Sequence, residues 1–293
     1  MKDIVDGGGV SMNGKRGAVW DDCVVALATR HGKERQIAPA LLKVGLVTQV
    51  VPVDTDQFGT FTGEIARQGS ARDVVIAKAR AGLEAAGFAR GVASEGTLGP
   101  YPELPALTYD LELVGFVDIE RGLTVIEEAM SFETIVASVR ARTGDDLKQF
   151  LNRVGFPDQG LIVQRADGDL DQIVKGVVTA VQLESAIAQM ANSSADGQAL
   201  VVTDQRAHLC PTRRRVIQEA AERLALRLSR RCPKCSCPGF GLIAHEPGLP
   251  CRDCGTPTDL DQAIVEGCSS CGERIRTPSV GTADPTECEY CNP

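Results

Sequence analysis

Short apolar segments alternate with amphipathic ones along most of the chain. Val24–Thr29 is a nearly continuous aliphatic and β-branched run, which is typical of a strand buried on both faces. A short helix over 34–43 and a strand over 46–53 are expected next, and Ser70 can cap a helix that extends to about Ala86. This alternation predicts an α/β protein with a mixed, largely parallel sheet flanked by helices.

The same alternation continues to about residue 231. A strand is expected to end at Ala93, just before a polar Gly/Pro-containing segment, and the helix after the last strand is expected to be capped by Thr212. The remaining expected elements are strands over 111–117, 161–164 and 199–203 and helices over 145–153, 171–191 and 212–229.

Cysteines mark a separate C-terminal module. Eight of the 11 cysteines form four Cys-x-x-Cys knuckles, with 15, 13 and 16 residues between successive knuckles: Cys232/Cys235, Cys251/Cys254, Cys268/Cys271 and Cys288/Cys291. One knuckle places two thiolates about one edge of a zinc tetrahedron apart, and a second knuckle completes a four-sulfur site. The spacing therefore predicts two structural zinc ions in a zinc-ribbon-like module, with either sequential or interleaved pairing of the knuckles.

Two other uses of paired cysteines compete with zinc. A disulfide framework needs an oxidising compartment, whereas the first twenty residues lack the apolar centre of a signal peptide and a cytoplasmic chain is expected. Redox chemistry at Cys-x-x-Cys belongs to a thioredoxin-like βαβ context, which is not evident around these four knuckles. Closed four-cysteine zinc sites are therefore the preferred interpretation.

Composition divides the chain into three parts. Residues 1–21 are predicted to be a disordered, glycine-rich extension, residues 22–231 an α/β domain that binds phosphate or nucleotide, and residues 232–293 the zinc module. No apolar stretch reaches 18 residues, so no membrane span is expected. The net charge is −8, and the zinc module has four Lys/Arg against nine Asp/Glu. That balance disfavours nucleic acid as a partner and favours a folding staple or a protein-contact surface.

Polar residues cluster where strands are expected to end, which is where open α/β sheets bind ligands. Thr29 and Lys33 flank a basic turn that also contains His31, at the start of the first expected helix. Backbone N–H groups, the helix dipole and the Lys33 charge can hold phosphate there.

Acidic residues form the second and third clusters. Asp56 and Glu64 lie in a polar, glycine-bearing loop, and Glu95 follows the strand that is expected to end at Ala93. Carboxylate oxygens beside substrate phosphates suit Mg²⁺, so these three residues are the candidate magnesium ligands.

Arginines dominate the fourth cluster. Arg206, His208 and Arg213 lie between the last expected strand and helix, and residues 206–231 have eight Arg against two Glu. Guanidinium groups suit bidentate binding of phosphate, so Arg206 and Arg213 are candidate phosphate ligands. The later arginines of this helix are left outside the site, because they can solvate it or pair with the acidic module.

Several motifs resemble those of known families. The segments HGKE, DTDQFGTFTGEI, ASEGTLGP and TDQRAH-x-x-PTR, together with the cysteine knuckles, resemble an uncharacterised domain-of-unknown-function family. More remotely, Ala28-Thr29 with Lys33-Glu34, Thr60-Phe61 with Glu64, Lys78-Ala79 and Ser94-Glu95-Gly96 look like the motif order of inosine/xanthosine triphosphate pyrophosphatases. That second resemblance implies phosphate binding at the first turn, Mg²⁺ on the acidic residues and a late His/Arg motif against the nucleotide.

The leading hypothesis is a Mg²⁺-dependent hydrolase of a nucleotide or a related phosphorylated small molecule. Glu64 and Glu95 would hold the metal, with His31 or His208 transferring a proton and Lys33, Arg206 and Arg213 neutralising phosphate charge. The alternative is a non-enzymatic nucleotide- or anion-sensing protein that uses the zinc module for protein contacts. A third hypothesis is a protein that acts on nucleic acid.

Overall fold

A computed structural model describes residues 19–30, 32–59, 67, 69–168 and 172–293. Its strands are β1 (Cys23–Ala28), β2 (Leu46–Val51), β3 (Arg90–Pro100), β4 (Thr108–Asp118), β5 (Leu123–Ser131), β6 (Ser138–Ala141), β7 (Leu161–Arg165), β8 (Ile173–Val177), β9 (Ala199–Thr203), β10 (Gly241–Pro247), β11 (Asp261–Gly267) and β12 (Arg274–Pro278). Its helices are α1 (Glu34–Leu42), α2 (Ala71–Ala86), α3 (Lys148–Val154), α4 (Ala180–Ser193) and α5 (Pro211–Ser229). The described strands form three sheets.

The first sheet has the order β2-β1-β3-β4-β5. β1 is parallel to both β2 and β3, whereas β3, β4 and β5 form an antiparallel meander. The chain passes from β1 through α1 to β2 on one side and then through α2 to β3 on the other. The gap beyond the carboxyl ends of β1 and β3 is therefore a topological switch point, where open α/β sheets commonly bind ligands. The predicted mixed α/β fold is confirmed.

Helices cover both faces of this sheet. On one face Val25, Val92 and Phe116 pack against α1 and α5, and on the other Ala93 and Val117 pack against α2. Successive residues of a strand point to opposite faces, so the buried apolar runs of β1 and β3 supply both cores. The capping box that starts α2 pairs the Ser70 side chain with Asp73 and agrees with the sequence-based expectation.

The second sheet is inserted between β5 and α5. Its order is β6-β9-β7-β8, every pairing is antiparallel, and α3 and α4 pack on it around Phe150, Leu183 and Met190. The third sheet, β10-β11-β12, is antiparallel and belongs to residues 232–293, which we call the cysteine module.

Four sequence-based expectations need correction. β3 extends to Pro100, so the polar segment 94–100 lies within a strand because its backbone pairs with β4 along its whole length. The helix expected over 171–191 is β8 followed by α4, whose cap is Thr179. The N-cap of α5 is Cys210 rather than Thr212, because Pro211 occupies the first turn. Residues 1–18 of the expected extension lie outside the described residues, but Trp20 is 1% exposed and packs on Phe116.

Candidate functional site

The eight knuckle cysteines form two four-sulfur groups in the cysteine module. One group contains Cys232, Cys235, Cys268 and Cys271, and the other Cys251, Cys254, Cys288 and Cys291, with the four sulfurs of each within 4.8 Å of one another. Four Sγ–Sγ distances across these groups are 3.6 to 3.8 Å. A Zn–S bond of about 2.3 Å gives a tetrahedral edge of about 3.8 Å. Both groups are therefore suitable for zinc, in closed sites where the metal would stabilise the fold.

The knuckles pair in an interleaved order. The first pairs with the third and the second with the fourth, which decides between the two arrangements that the spacing left open. β11 lies between the second and third knuckles in the chain and is the central strand of the module's sheet. Each site therefore joins segments from both sides of this strand, and neither site can form from adjacent knuckles alone.

The backbone conformation after the first three knuckles explains the small residues found there. Gly255 and Gly272 follow the second and third knuckles with φ of +74° and +72°, and Ser236 takes φ of +61° after the first. Each of these three residues donates its backbone N–H to the carbonyl of the first cysteine of its knuckle, at 2.9 to 3.0 Å. The left-handed conformation closes the turn, and glycine adopts it without the strain that a Cβ introduces.

Arginines at the C-terminal end of α5, Arg227 within the helix and Arg230 directly after it, attach the cysteine module to the first sheet. Arg227 lies 2.7 Å from Glu127 of β5 and donates to the Gly239 carbonyl, and Arg230 forms a 2.5 Å ion pair with Glu266 of β11. Arg230, one of the arginines left outside the predicted site, therefore pairs with the acidic module.

Seven charged residues lie around the switch point of the first sheet, and we call them the charge cluster. They are Lys33, Arg67, Lys78, Glu95, Asp110, Glu112 and Arg213. They come from α1, the segment before α2, α2 itself, β3, β4 and α5. Lys33 at the N-cap of α1 has Glu112, Arg213, Lys78 and Glu95 as its charged neighbours, so it links the two faces of the sheet electrostatically.

Glu95 is the centre of the cluster on the α2 face. Its carboxylate is 2.6 Å from the Lys78 amine and 2.8 Å from the Arg67 guanidinium, and only 9% of its side chain is exposed. Arg67 also donates to the hydroxyl of Thr97 and the carbonyl of Gly96. Two cations therefore already neutralise Glu95.

Arg213 is the centre of the cluster on the α5 face. It pairs with Glu112, its Nε lies 3.7 Å from Asp110, and all three side chains are at most 2% exposed. Gly96 faces Glu112 across the β3–β4 pair, and a Cβ there would lie 2.5 Å from the Arg213 guanidinium. Glycine at 96 therefore allows Arg213 to reach Glu112.

Burial changes the protonation of this half of the cluster. Desolvation and the nearby charge of Glu112 raise the pKa of Asp110 to about 7. Desolvation also lowers the pKa of Lys33, although Glu112 opposes the shift. Both carboxylate oxygens of Asp110 and Oε2 of Glu112 are buried without a hydrogen-bond partner among the described residues. Buried carboxylate oxygens in this state favour uptake of a proton.

The candidate site residues fall into different places. Lys33, Glu95 and Arg213 come together in the charge cluster. Arg206 instead pairs with the buried Asp204 at 2.6 Å. His208 is exposed, and its Cβ is 3.8 Å from where a Cβ on Gly32 would lie.

The remaining candidates are Thr29, Asp56, His31 and Glu64. The Thr29 hydroxyl is buried with no hydrogen-bond partner in the described part of the chain. Asp56 lies in a short 3-10 turn over Thr55–Phe58, and its side chain is outside the description. His31 and Glu64 lie outside the described residues.

Sequence reasoning missed four members of the cluster: Arg67, Lys78, Asp110 and Glu112. Lys78 entered the sequence analysis only through the remote motif resemblance and was given no role in the site, and Arg67 reads as part of a solvated loop. The signal for Asp110 and Glu112 was their alternation with Leu111 and Leu113 in an expected strand, which places two carboxylates on one face of the sheet. Their partner Arg213 is 101 residues from Glu112, so the spacing along the chain did not reveal the pair.

Of the three candidate magnesium ligands, Glu64 and the side chain of Asp56 lie outside the described residues. Within the described ranges, the two four-cysteine sets are the groups of three or more metal-ligating side chains that come within ligand distance of one another. Glu95 is held by Lys78 and Arg67 instead.

Together the fold and the sites define an α/β protein with a charged switch point and a C-terminal module built on two four-cysteine groups. The chain belongs to the family described as a domain of unknown function (DUF6671), whose model matches residues 78–293. No curated protein and no solved structure matches the chain. In the described part of the chain, none of the helices is both long and apolar enough to cross a bilayer.

Proposed function

We propose that the charge cluster binds a phosphorylated small molecule, such as a nucleotide, and that the protein hydrolyses it. The observation that carries this proposal is the position of Lys33 and Glu95 on either side of the switch point between β1 and β3. Ligands of open α/β sheets bind at such a position, and the N-terminus of α1 adds a dipole that favours an anion.

The proposal gives the three groups that face this point different tasks. Lys33 and the N-terminus of α1 would meet the phosphate. Arg67, whose side chain is 31% exposed, can turn from Glu95 to the same anion. Glu95 would then keep only its ion pair with Lys78, and its other oxygen would accept a proton from the attacking water. Arg213 is too deeply buried to touch a ligand, and its task is to fix Glu112 and Asp110 behind Lys33.

The test is a screen of nucleoside triphosphates for release of phosphate and pyrophosphate, run with and without magnesium. Glu95→Gln should lower turnover by about 100-fold or more if this carboxylate acts in the reaction. Glu184→Gln is the matched control, because Glu184 is exposed on α4. Full turnover in Glu95→Gln would contradict its role, and the absence of both turnover and nucleotide binding would overturn the proposal.

A second candidate is a non-enzymatic anion sensor, and the pairing of Glu95 with two cations favours it. A carboxylate held by Lys78 and Arg67 orders the site without activating water. The acidic surface of the cysteine module would then contact a protein partner. Equal nucleotide binding by wild type and Glu95→Gln, without any turnover, would support the sensor over the hydrolase.

A further inference from the structure

Three aromatic side chains lie together beyond the charge cluster, at the edge of the first sheet where β3 and β5 end and β4 begins. The Tyr101 ring packs edge-on against Tyr109 and Phe132, with ring centroids 5.5 and 5.1 Å apart. The two tyrosines are half-buried, whereas Phe132 is 45% exposed. We call these three residues the aromatic cluster. Aromatic rings that stay exposed beside one another are a common feature of binding surfaces.

The strand register places the aromatic cluster on the same face of the sheet as Arg67. Arg67 donates to the Thr97 hydroxyl at 2.9 Å. Thr97 stands two residues before Gly99, and Gly99 pairs with Tyr109 across β3 and β4. Alternate residues of a strand share a face and are about 7 Å apart. The Gly99–Tyr109 pair therefore lies about 7 Å beyond Thr97 on the face that carries Arg67.

The surface between Arg67 and the aromatic cluster is open and uncharged. A Cβ on Gly99 would meet no atom of the described residues within 4 Å. Leu111 and Met130 pair across β4 and β5 in the same row as Thr97, and Met130 is 44% exposed. None of these four side chains carries a charge, so the face changes from cationic to apolar and then to aromatic along the strands. A ligand that has an anionic end and a planar aromatic end matches this order.

We propose that the aromatic cluster binds the base of a nucleotide whose phosphate lies at Arg67 and Lys33. This inference rests on the proposed function and deepens it, because it names nucleotides as the substrate class and Phe132 as the residue on which the base stacks. Phe132 offers the most exposed of the three rings, and its edge-on contact with Tyr101 holds that ring in place. Stacking uses the π-face that every base has. The nearby Arg67 favours a nucleotide over an uncharged apolar partner.

The first test compares phosphorylated ligands that have or lack a base. The 5′-monophosphates of adenosine, guanosine, cytidine and uridine, and ribose 5-phosphate, are each titrated calorimetrically into the full chain. At least one nucleotide should bind about tenfold more tightly than ribose 5-phosphate, which is a gain typical of stacking one base on an aromatic side chain. Equal affinity of ribose 5-phosphate and all four nucleotides would overturn the subsite.

Variants of Phe132 separate stacking from general apolar contact. Phe132→Leu keeps an apolar side chain without the ring, so the nucleotides should lose their advantage while ribose 5-phosphate binding stays unchanged. Phe132→Tyr should keep the advantage, and Val136→Ala is the control, because Val136 is 56% exposed and lies outside the aromatic cluster. A nucleotide preference that survives in Phe132→Leu would overturn the subsite. So would sedimentation in which wild type self-associates and Phe132→Leu does not, since a second copy would then cover this face.

The second test separates this inference from the proposed function. Phe132→Trp places an indole at the subsite, and the four free nucleosides are titrated while its emission is followed. Trp20 is 1% exposed and gives a constant background. Quenching should saturate in this variant, whereas Val136→Trp should show only quenching that rises linearly with concentration. If neither ribose 5-phosphate nor any nucleotide binds, the proposed function fails, and the nucleosides alone decide the subsite: saturation supports it and the absence of saturation overturns it.

Discussion

The cysteine module and the charge cluster are built on opposite principles. In the module, every ligand sulfur lies within 4.8 Å of three others of its kind, and in each knuckle the backbone N–H that follows the second cysteine donates to the carbonyl of the first. In the cluster, seven residues from six segments meet, and three buried carboxylate oxygens have no donor among the described residues. A closed, repeated geometry serves stability, whereas unsatisfied buried charge is a feature of sites that exchange protons or ligands. Of the two regions, the charge cluster is therefore the better candidate for chemistry.

Double cysteine variants should produce the largest effect and test the interleaved pairing. Cys232→Ser with Cys268→Ser removes two ligands of one site, so one zinc equivalent should remain. Cys232→Ser with Cys251→Ser damages both sites, so zinc content should fall toward zero. Loss of a structural zinc removes on the order of 10 kcal/mol of apparent stabilisation. Metal analysis after reducing purification measures the zinc content of both double variants.

Sequential pairing would give the reverse result for these two double variants. Cys237→Ser is the control, since Cys237 belongs to neither four-sulfur group and should keep two zinc equivalents.

Breaking the buried pair in the charge cluster should have the next largest effect. Arg213→Ala leaves Glu112 as an uncompensated buried charge, which destabilises a protein by about 3–5 kcal/mol. Arg215→Ala two residues away removes only an exposed 3.7 Å pair with Glu133 and should cost less than about 1 kcal/mol. Urea unfolding followed by circular dichroism compares them. Equal destabilisation by the two variants would mean that the Arg213 pair is not buried.

Asp110 should make the stability of the fold depend on pH. Because its folded pKa of about 7 lies above the ordinary 3.8, the folded state binds the proton more tightly. Its contribution is fully present below about pH 4 and is lost as the pH rises to about 7. Between pH 4 and pH 8, wild type should therefore lose about 2–4 kcal/mol more than Asp110→Asn. Parallel pH profiles for the two proteins would contradict the raised pKa.

The helix cap should give the smallest effect. Ser70→Ala removes the hydroxyl that accepts from the Asp73 N–H and should destabilise the protein by about 1 kcal/mol. Because α2 carries Lys78, thermal unfolding of this variant measures how far the cluster depends on its helix. Zinc content should stay at two equivalents, and a loss of zinc would mean that the first sheet and the cysteine module unfold together.

The comparison also explains what the sequence could reveal. The knuckles and the strands β1 and β2 were predictable because their signals are local, namely cysteine spacing and buried apolar runs. The pairing of the knuckles was not predictable from the sequence, because any two knuckles offer the same four sulfurs. The predicted end of β3 at Ala93 comes before its actual end at Pro100, since Gly96 and Gly99 look like turn residues. In the fold, Gly96 instead makes room for Arg213.

The charge cluster was harder to foresee than the cysteine groups. Lys33, Glu95 and Arg213 were singled out by their positions after expected strands, but their partners were not. An acid such as Glu112 within an apolar strand signals only that some cation must cover it. Which cation does so depends on how α5 crosses β4, and that crossing is set by packing of the whole layer rather than by a motif.

The interleaved order has a consequence for how the chain is made. The four-sulfur site of Cys232 is incomplete until Cys271, 39 residues later, has been synthesised, and that of Cys251 is incomplete until Cys291, 40 residues later. During synthesis from the N-terminus, the second knuckle leaves the ribosome before the third, so the first neighbour available to Cys232 and Cys235 is the wrong one. Zinc bound early would be held by the adjacent first and second knuckles. The nascent chain would then have to exchange these ligands before β11 could become the central strand of the module's sheet.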